Sequence, residues 1–142
     1  MIACADSSFL ASLYAVEAHS PEARRRMSLQ PTVYVTPLNR AELAHAFYFQ
    51  VFRGRISVVE ARRAWNHFEQ DCAHQAWHLV DLPDSTWAVS IDLARRYSSA
   101  LGVRTLDSLH VACALELRAD RFWTFDERQA KLAEAEGLDT NA

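Results

Sequence analysis

The chain has 142 residues, half of them hydrophobic and 23% charged, with a formal net charge of −3. That length suits one domain around a single core, and the composition is that of an ordinary globular protein. No apolar run approaches the roughly 18 residues of a membrane span, and a net acidic chain is a poor nonspecific polyanion binder. The N-terminal "MIACADSSFL" lacks a basic stretch and meets an acid at Asp6, so no secretory signal is expected. Cys4, Cys72 and Cys113 are odd in number and share no short spacing. They read as reduced thiols of a cytoplasmic protein, at least two of them in the core. All but one of the fifteen basic residues are arginine, Lys131 being the exception. Arginine suits bidentate phosphate or carboxylate contacts, but GC-rich coding also favours it.

Short β-type runs alternate with longer helical patterns. "MIACA" predicts a first strand, ending at Asp6, and "SSFLASLYAVEA" a helix after it. Ser20-Pro21-Glu22 reads as a helix start, with Ser20 as the N-cap. "TVYVT" predicts a second strand. Thr36-Pro37 then opens a long helix to Gln50 or Phe52, and the capping box Ser57-x-x-Glu60 opens another to about His74. "WHLVDL" predicts a third strand, "DSTWAVSIDLARRYSSAL" and "TLDSLHVACALEL" two helices, "RFWTF" a fourth strand and "DERQAKLAEAE" a last helix.

All three glycines, Gly54, Gly102 and Gly137, fall where helices should stop. None is left for a phosphate-cradling loop, which excludes a Walker A or dinucleotide fingerprint. Strand–helix alternation predicts an α/β fold with a central parallel sheet of four to five strands flanked by helices. In such sheets ligands bind beyond the carboxyl ends of the strands.

Four acids are predicted at that edge. Asp6 follows strand one and Asp126 follows strand four. Glu42 lies early in the helix after strand two, and Asp107 lies in a first helical turn, two residues after the expected N-cap Thr105. Each has an ordinary reading. Asp107 suits a helix dipole, Asp126 suits an N-cap, and Glu42 suits a solvated helix face. Together they are harder to place. Two carboxylates about 5 Å apart at an effective dielectric near 20 repel by about 3 kcal/mol. Three or four would protonate or destabilise the fold unless a cation sat among them. Oxygen ligands of this kind favour Mg²⁺ or Mn²⁺. Setting the four aside leaves fourteen acids against fifteen bases, a nearly neutral remainder.

The segments "ADSSFL", "NRAELAHA" and "RTLDSLHVACALELRADRFWTFDERQAKLA" resemble the motifs of PIN-domain ribonucleases, particularly VapC-type toxins of bacterial toxin–antitoxin pairs. The likeness runs in order along nearly the whole chain, which implies a single PIN-like nuclease domain over residues 1–142. The most specific part is Asp-x-x-His in a small-residue helix, followed by a strand closing in Thr-x-Asp. The resemblance implies an acidic set at Asp6, Glu42, Asp107 and Asp126, all four holding Mg²⁺ or Mn²⁺. It implies supporting roles for Thr124 and for Ser8 or Ser7, which would orient water or phosphate. It implies metal-dependent hydrolysis of RNA, with tRNA or rRNA as target, a homodimer, and a cognate antitoxin as partner. The family usually ends in a fifth strand, for which "GLDTNA" carries little β signal.

Other features have plainer readings. His110 shares a helix face with Asp107 and would either bond that carboxylate or simply pack. His67 and His74, seven apart on one helix, stand too far apart for one zinc ion. Arg24-Arg25-Arg26 suits RNA phosphate, an acidic partner or a solvated face. The aromatics of "AFYFQVF" exceed what one buried stripe needs, and an exposed share would suit a partner groove. The alternative to a nuclease is a catalytically silent PIN-like module that binds RNA or protein. A haloacid-dehalogenase-like site is excluded because Asp6 is followed by Ser7-Ser8 rather than by Asp-x-Asp. A receiver domain is excluded because Lys131 lies on the wrong element.

Overall fold

The structure, a computed structural model, describes residues 1–141. In chain order the elements are β1 (Ile2–Ala5), α1 (Ser7–Tyr14), α2 (Ser20–Met27), β2 (Thr32–Val35), α3 (Pro37–Phe52), α4 (Val58–Ala73), β3 (His78–Leu79), α5 (Thr86–Leu101), α6 (Thr105–Glu116), β4 (Arg121–Trp123) and α7 (Glu127–Ala135). The four strands form one parallel sheet in the order β3-β2-β1-β4. Where the family usually has a fifth strand, the tail makes a single bridge between Arg121 and Asp139, closed by the Phe122 amide on the Asp139 carbonyl at 3.0 Å. No helix among the described residues is long and apolar enough to cross a membrane.

Strand alternation divides the core in two. Ala3, Ala5, Val33, Val35 and Trp123 face one layer, which contains Phe9, Leu43, Phe47 and Phe68 from α1, α3 and α4. Cys4 and Phe122 face the other, with Leu93, Val111 and Leu132 from α5, α6 and α7. Successive residues of a strand point to opposite faces, so a parallel sheet covered on both sides needs apolar side chains throughout. Helix α6 is buried without a break from Asp107 to Ala114. A helix enclosed on all sides holds its first turn rigidly, and that turn carries Asp107.

Four local expectations change. Helix α1 stops at Tyr14, because the Ser20 hydroxyl donates to the Ala15 carbonyl at 3.0 Å and accepts from the Glu17 amide at 2.9 Å. Ser20 is thereby the first residue of α2 rather than its N-cap, which is His19. The third strand is only His78–Leu79, an edge pairing extended by one Val80-to-Val35 bond before Pro83. The N-cap of α6 is Arg104, so Asp107 occupies the third helical position. The start of α3 is as read, with Thr36 and Asn39 closing a capping box.

Candidate active site

Asp6 leaves the end of β1 and caps α1. Its Oδ1 accepts from the Phe9 amide at 3.1 Å and the Ser8 hydroxyl at 2.6 Å, and its Oδ2 accepts from the Thr124 hydroxyl at 2.6 Å. Burial pushes the Asp6 pKa up, and the hydrogen bonds from Ser8, Thr124 and Phe9 offset only part of that rise. Thr124 follows β4, and its hydroxyl oxygen also accepts the Asp126 amide at 3.0 Å. Asp126 caps α7, its Oδ1 taking the amides of Arg128 and Gln129 at 2.9 and 3.1 Å.

Glu42 on α3 and Asp107 on α6 complete the edge. Glu42 Oε1 accepts the Ser7 hydroxyl at 2.8 Å and is bonded to His110 Nε2. Burial raises the Glu42 pKa, but the bonds from His110 and Ser7 outweigh it and hold the group below the ordinary glutamate range. Asp107 Oδ2 accepts the Arg104 amide at 3.0 Å, with Arg104 Nε at 3.5 Å. Buried Gln129 donates from its side-chain amide to the Asp107 carbonyl at 3.3 Å, which ties α7 to α6.

The four acids therefore stand at the carboxyl edge of the sheet, linked through Thr124, Ser7, His110 and Gln129. They are not grouped as a ready cage: among the described residues no three His, Cys, Asp or Glu side chains are placed to hold one metal ion. Instead the His110 ring bonds Glu42, and the Arg104 guanidinium stands beside Asp107. Yet Glu42, Asp107 and Asp126 each keep one carboxylate oxygen that accepts no hydrogen bond among the described residues. A donor set of carboxylate oxygens fits a hard cation such as Mg²⁺ or Mn²⁺ in its chemistry.

Sequence reasoning missed two contributors and the partner of a third. Asn39 donates from Nδ2 to the Ala5 carbonyl at 2.9 Å, fastening the start of α3 beside Asp6. Its signal was its place three residues after a Thr-Pro helix start. Gln129 carries no such signal. His110 bonds Glu42 across 68 positions rather than its helix neighbour Asp107, a partner that spacing along one helix cannot reveal.

Most of the remaining motifs stay outside this edge. His67 packs edge-on to Tyr14 and lies 3.8 Å from Asp71. Arg25 and Arg26 pair with Glu22 on their own helix. Cys4 and Cys113 are buried, and burial pushes their thiols up to about 12 and about 11, so neither is an activated nucleophile. Within "AFYFQVF", Phe47 is core while Phe52 is 84% exposed.

The chain is thus an α/β sandwich around a parallel sheet, with four acids at the carboxyl ends of its strands. Residues 3–135 match the PIN domain, and the chain belongs to that family. Comparison with curated protein sequences finds no match. Among solved structures the chain is similar to the sarcin–ricin-loop-cleaving toxin VapC20 of Mycobacterium tuberculosis, with 15% identity, a TM-score of 0.68 and coverage of 96% of this chain and 95% of that one. It is similar to VapBC2 of Rickettsia felis bound to a promoter DNA fragment, with 14% identity, a TM-score of 0.65 and coverage of 99% and 98%. It is similar to FitAcB of Neisseria gonorrhoeae, with 15% identity, a TM-score of 0.67 and coverage of 99% and 97%. At such identities the likeness is one of fold.

Proposed function

We propose that this protein is a metal-dependent endoribonuclease, the toxin of a toxin–antitoxin pair, acting in the cytoplasm on structured RNA such as tRNA or rRNA. The observation that carries the reading is the linked set of Asp6, Glu42, Asp107 and Asp126, three of which keep an uncommitted oxygen. These four would hold one or two Mg²⁺ or Mn²⁺ ions. Such an ion, when bound, supplies a water of lowered pKa and charge stabilisation at the phosphoryl oxygens. The chain's own groups do the placing. Thr124 and Ser8 hold the Asp6 carboxylate in one orientation through its two oxygens. Ser7 and His110 hold Glu42, and the buried length of α6 holds Asp107.

The similarity in fold to VapBC2 and FitAcB supports a cognate antitoxin as partner. A groove of about 930 Å³ between the end of α1 and α4, lined by Val16, Ile56, Val59, Arg62 and Arg63, suits a segment with apolar and acidic side chains. A homodimer is part of the same proposal.

The test is cleavage of single-stranded RNA and of tRNA after the partner has been stripped. Cutting should need Mn²⁺ or Mg²⁺, stop with chelator, and be lost in Asp6→Asn and Asp107→Asn variants that still fold. Variants that cut like the parent would overturn the site. A silent PIN-like binding module is the second reading, favoured by the carboxylates being engaged separately with His110 and Arg104. It predicts RNA binding with no cleavage at any metal concentration.

A further inference from the structure

Beside the acids a stack of rings runs from the core to the surface. Phe125 sits between Thr124 and Asp126, and its amide donates to the Ser8 hydroxyl at 3.3 Å. Its ring stands 5.9 Å from buried Phe9 and 4.2 Å from His19, the latter nearly parallel at 7°. The stack thus runs from the core at Phe9, through half-buried Phe125, to an exposed imidazole at His19. The Arg26 guanidinium lies 5.8 Å from the centroid of Phe125, and its Nη1 has no partner among the described residues. His19 and Arg26 are seven residues apart, two helical turns, and so share a face of α2.

The loop that presents His19 is held before anything binds. The Ser20 hydroxyl bridges Ala15 and Glu17, the Ser20 amide donates to the Glu17 carbonyl at 3.1 Å, and the His19 amide donates to the Glu17 carboxylate at 3.0 Å. A ring fixed in this way loses little entropy on taking a partner. Unpaired bases are recognised by stacking on aromatic or histidine rings, a contact tolerant of sequence.

We infer that His19, backed by Phe125 and Arg26, is a stacking platform for an unpaired nucleobase next to the cleaved phosphodiester. This deepens the ribonuclease reading and rests on it. The acids would address the phosphodiester, while the platform, whose Phe125 is flanked in sequence by Thr124 and Asp126, takes a neighbouring base. It selects a flipped or single-stranded nucleotide over a paired one, without naming the base.

The test measures binding of a fluorescein-labelled single-stranded RNA by anisotropy in chelator, for wild type, His19→Ala and His19→Phe. A second oligonucleotide carries abasic sites on both sides of the cut position mapped with wild type and Mn²⁺, or throughout its centre if wild type does not cut. The platform predicts roughly 5- to 150-fold weaker binding for His19→Ala, the span of one base–ring stack, and near-parent binding for His19→Phe. It also predicts that His19→Ala costs little more against the abasic strand. Equal binding by His19→Ala and wild type overturns the platform. So does a loss of the same size on intact and abasic strands, which would mark a packing role. Failure of the ribonuclease reading shows separately, as absence of Mn²⁺-dependent cutting by wild type.

Discussion

Thr124 donates its hydroxyl to the carboxylate of Asp6 at 2.6 Å, joining the ends of β4 and β1 across 118 positions of sequence. The two strands pair in register immediately before, with Ala5 opposite Trp123, so the next side chains meet at the sheet edge. Thr124→Val should leave a buried carboxylate one donor short and cost about 1–3 kcal/mol of stability, read from urea unfolding. Cleavage should fall about 10- to 100-fold, the usual effect of losing a group that orients a ligand. Unchanged cutting would show that the hydroxyl serves the fold alone.

Divalent metal should stabilise the protein whether or not RNA is present. An ion bound only by the folded chain raises the unfolding temperature in proportion to the logarithm of its concentration above Kd. The Tm should therefore climb with Mn²⁺ over a millimolar range. The climb should flatten in Asp107→Asn and vanish in Asp6→Asn with Asp107→Asn combined. A Tm indifferent to Mn²⁺ would count against metal binding by these acids.

Tyr14 ties three elements together. Its hydroxyl donates to Asp71 at 2.6 Å and accepts the Trp77 indole N–H at 2.7 Å, and burial foremost pushes its pKa up. Tyr14→Phe keeps the ring but strands both partners, so the expected loss is about 1–3 kcal/mol in urea unfolding. The acid edge lies elsewhere, so cutting below the unfolding transition should be unchanged.

Arg96 and Glu136 should give a pH-dependent contribution. Arg96 bonds Glu136 at 2.9 and 3.1 Å, and this interaction foremost holds the Glu136 pKa below its ordinary range, against some burial. A group with a depressed folded pKa stabilises the protein above its unfolded pKa, and that stabilisation fades as pH falls through the folded value. The Tm deficit of Arg96→Ala should thus be largest near neutrality and shrink as the pH falls below the ordinary glutamate range and Glu136 protonates. Because Arg96 is well exposed, added salt should also reduce the deficit. A deficit constant down to acid pH would point to packing rather than charge.

The thiols should divide by burial. Cys4 and Cys113 are buried and their pKa values lie far above neutrality, whereas Cys72 is half-buried. A thiol reagent applied to the native protein should modify Cys72 first, and the other two only on unfolding. Fast modification of all three would mean that the sheet opens readily.

Local sequence was enough to determine most of the elements and where the four acids stand along them. Thr36-Pro37 and Ser57-x-x-Glu60 state where α3 and α4 begin, because their side chains bond amides three residues away. Asp6 and Asp126 were legible as residues closing apolar runs, and both are helix caps as well. Where a start depended on distant or competing bonds, the reading slipped. Ser20 looked like an N-cap but is spent on the Ala15–Glu17 turn, and "WHLVDL" yields only a two-residue edge strand.

Tertiary structure alone decided the partnerships. That His110 meets Glu42, that Gln129 reaches the Asp107 carbonyl, and that His19 lies flat on Phe125 follow from which helices pack together. Periodicity and capping act over three or four residues, so a chain can announce its helices and the acids at their ends. Which of those acids shares a proton, a cation or a ring with which neighbour depends on packing between elements far apart in sequence, and that is settled only when the sheet brings them to one edge.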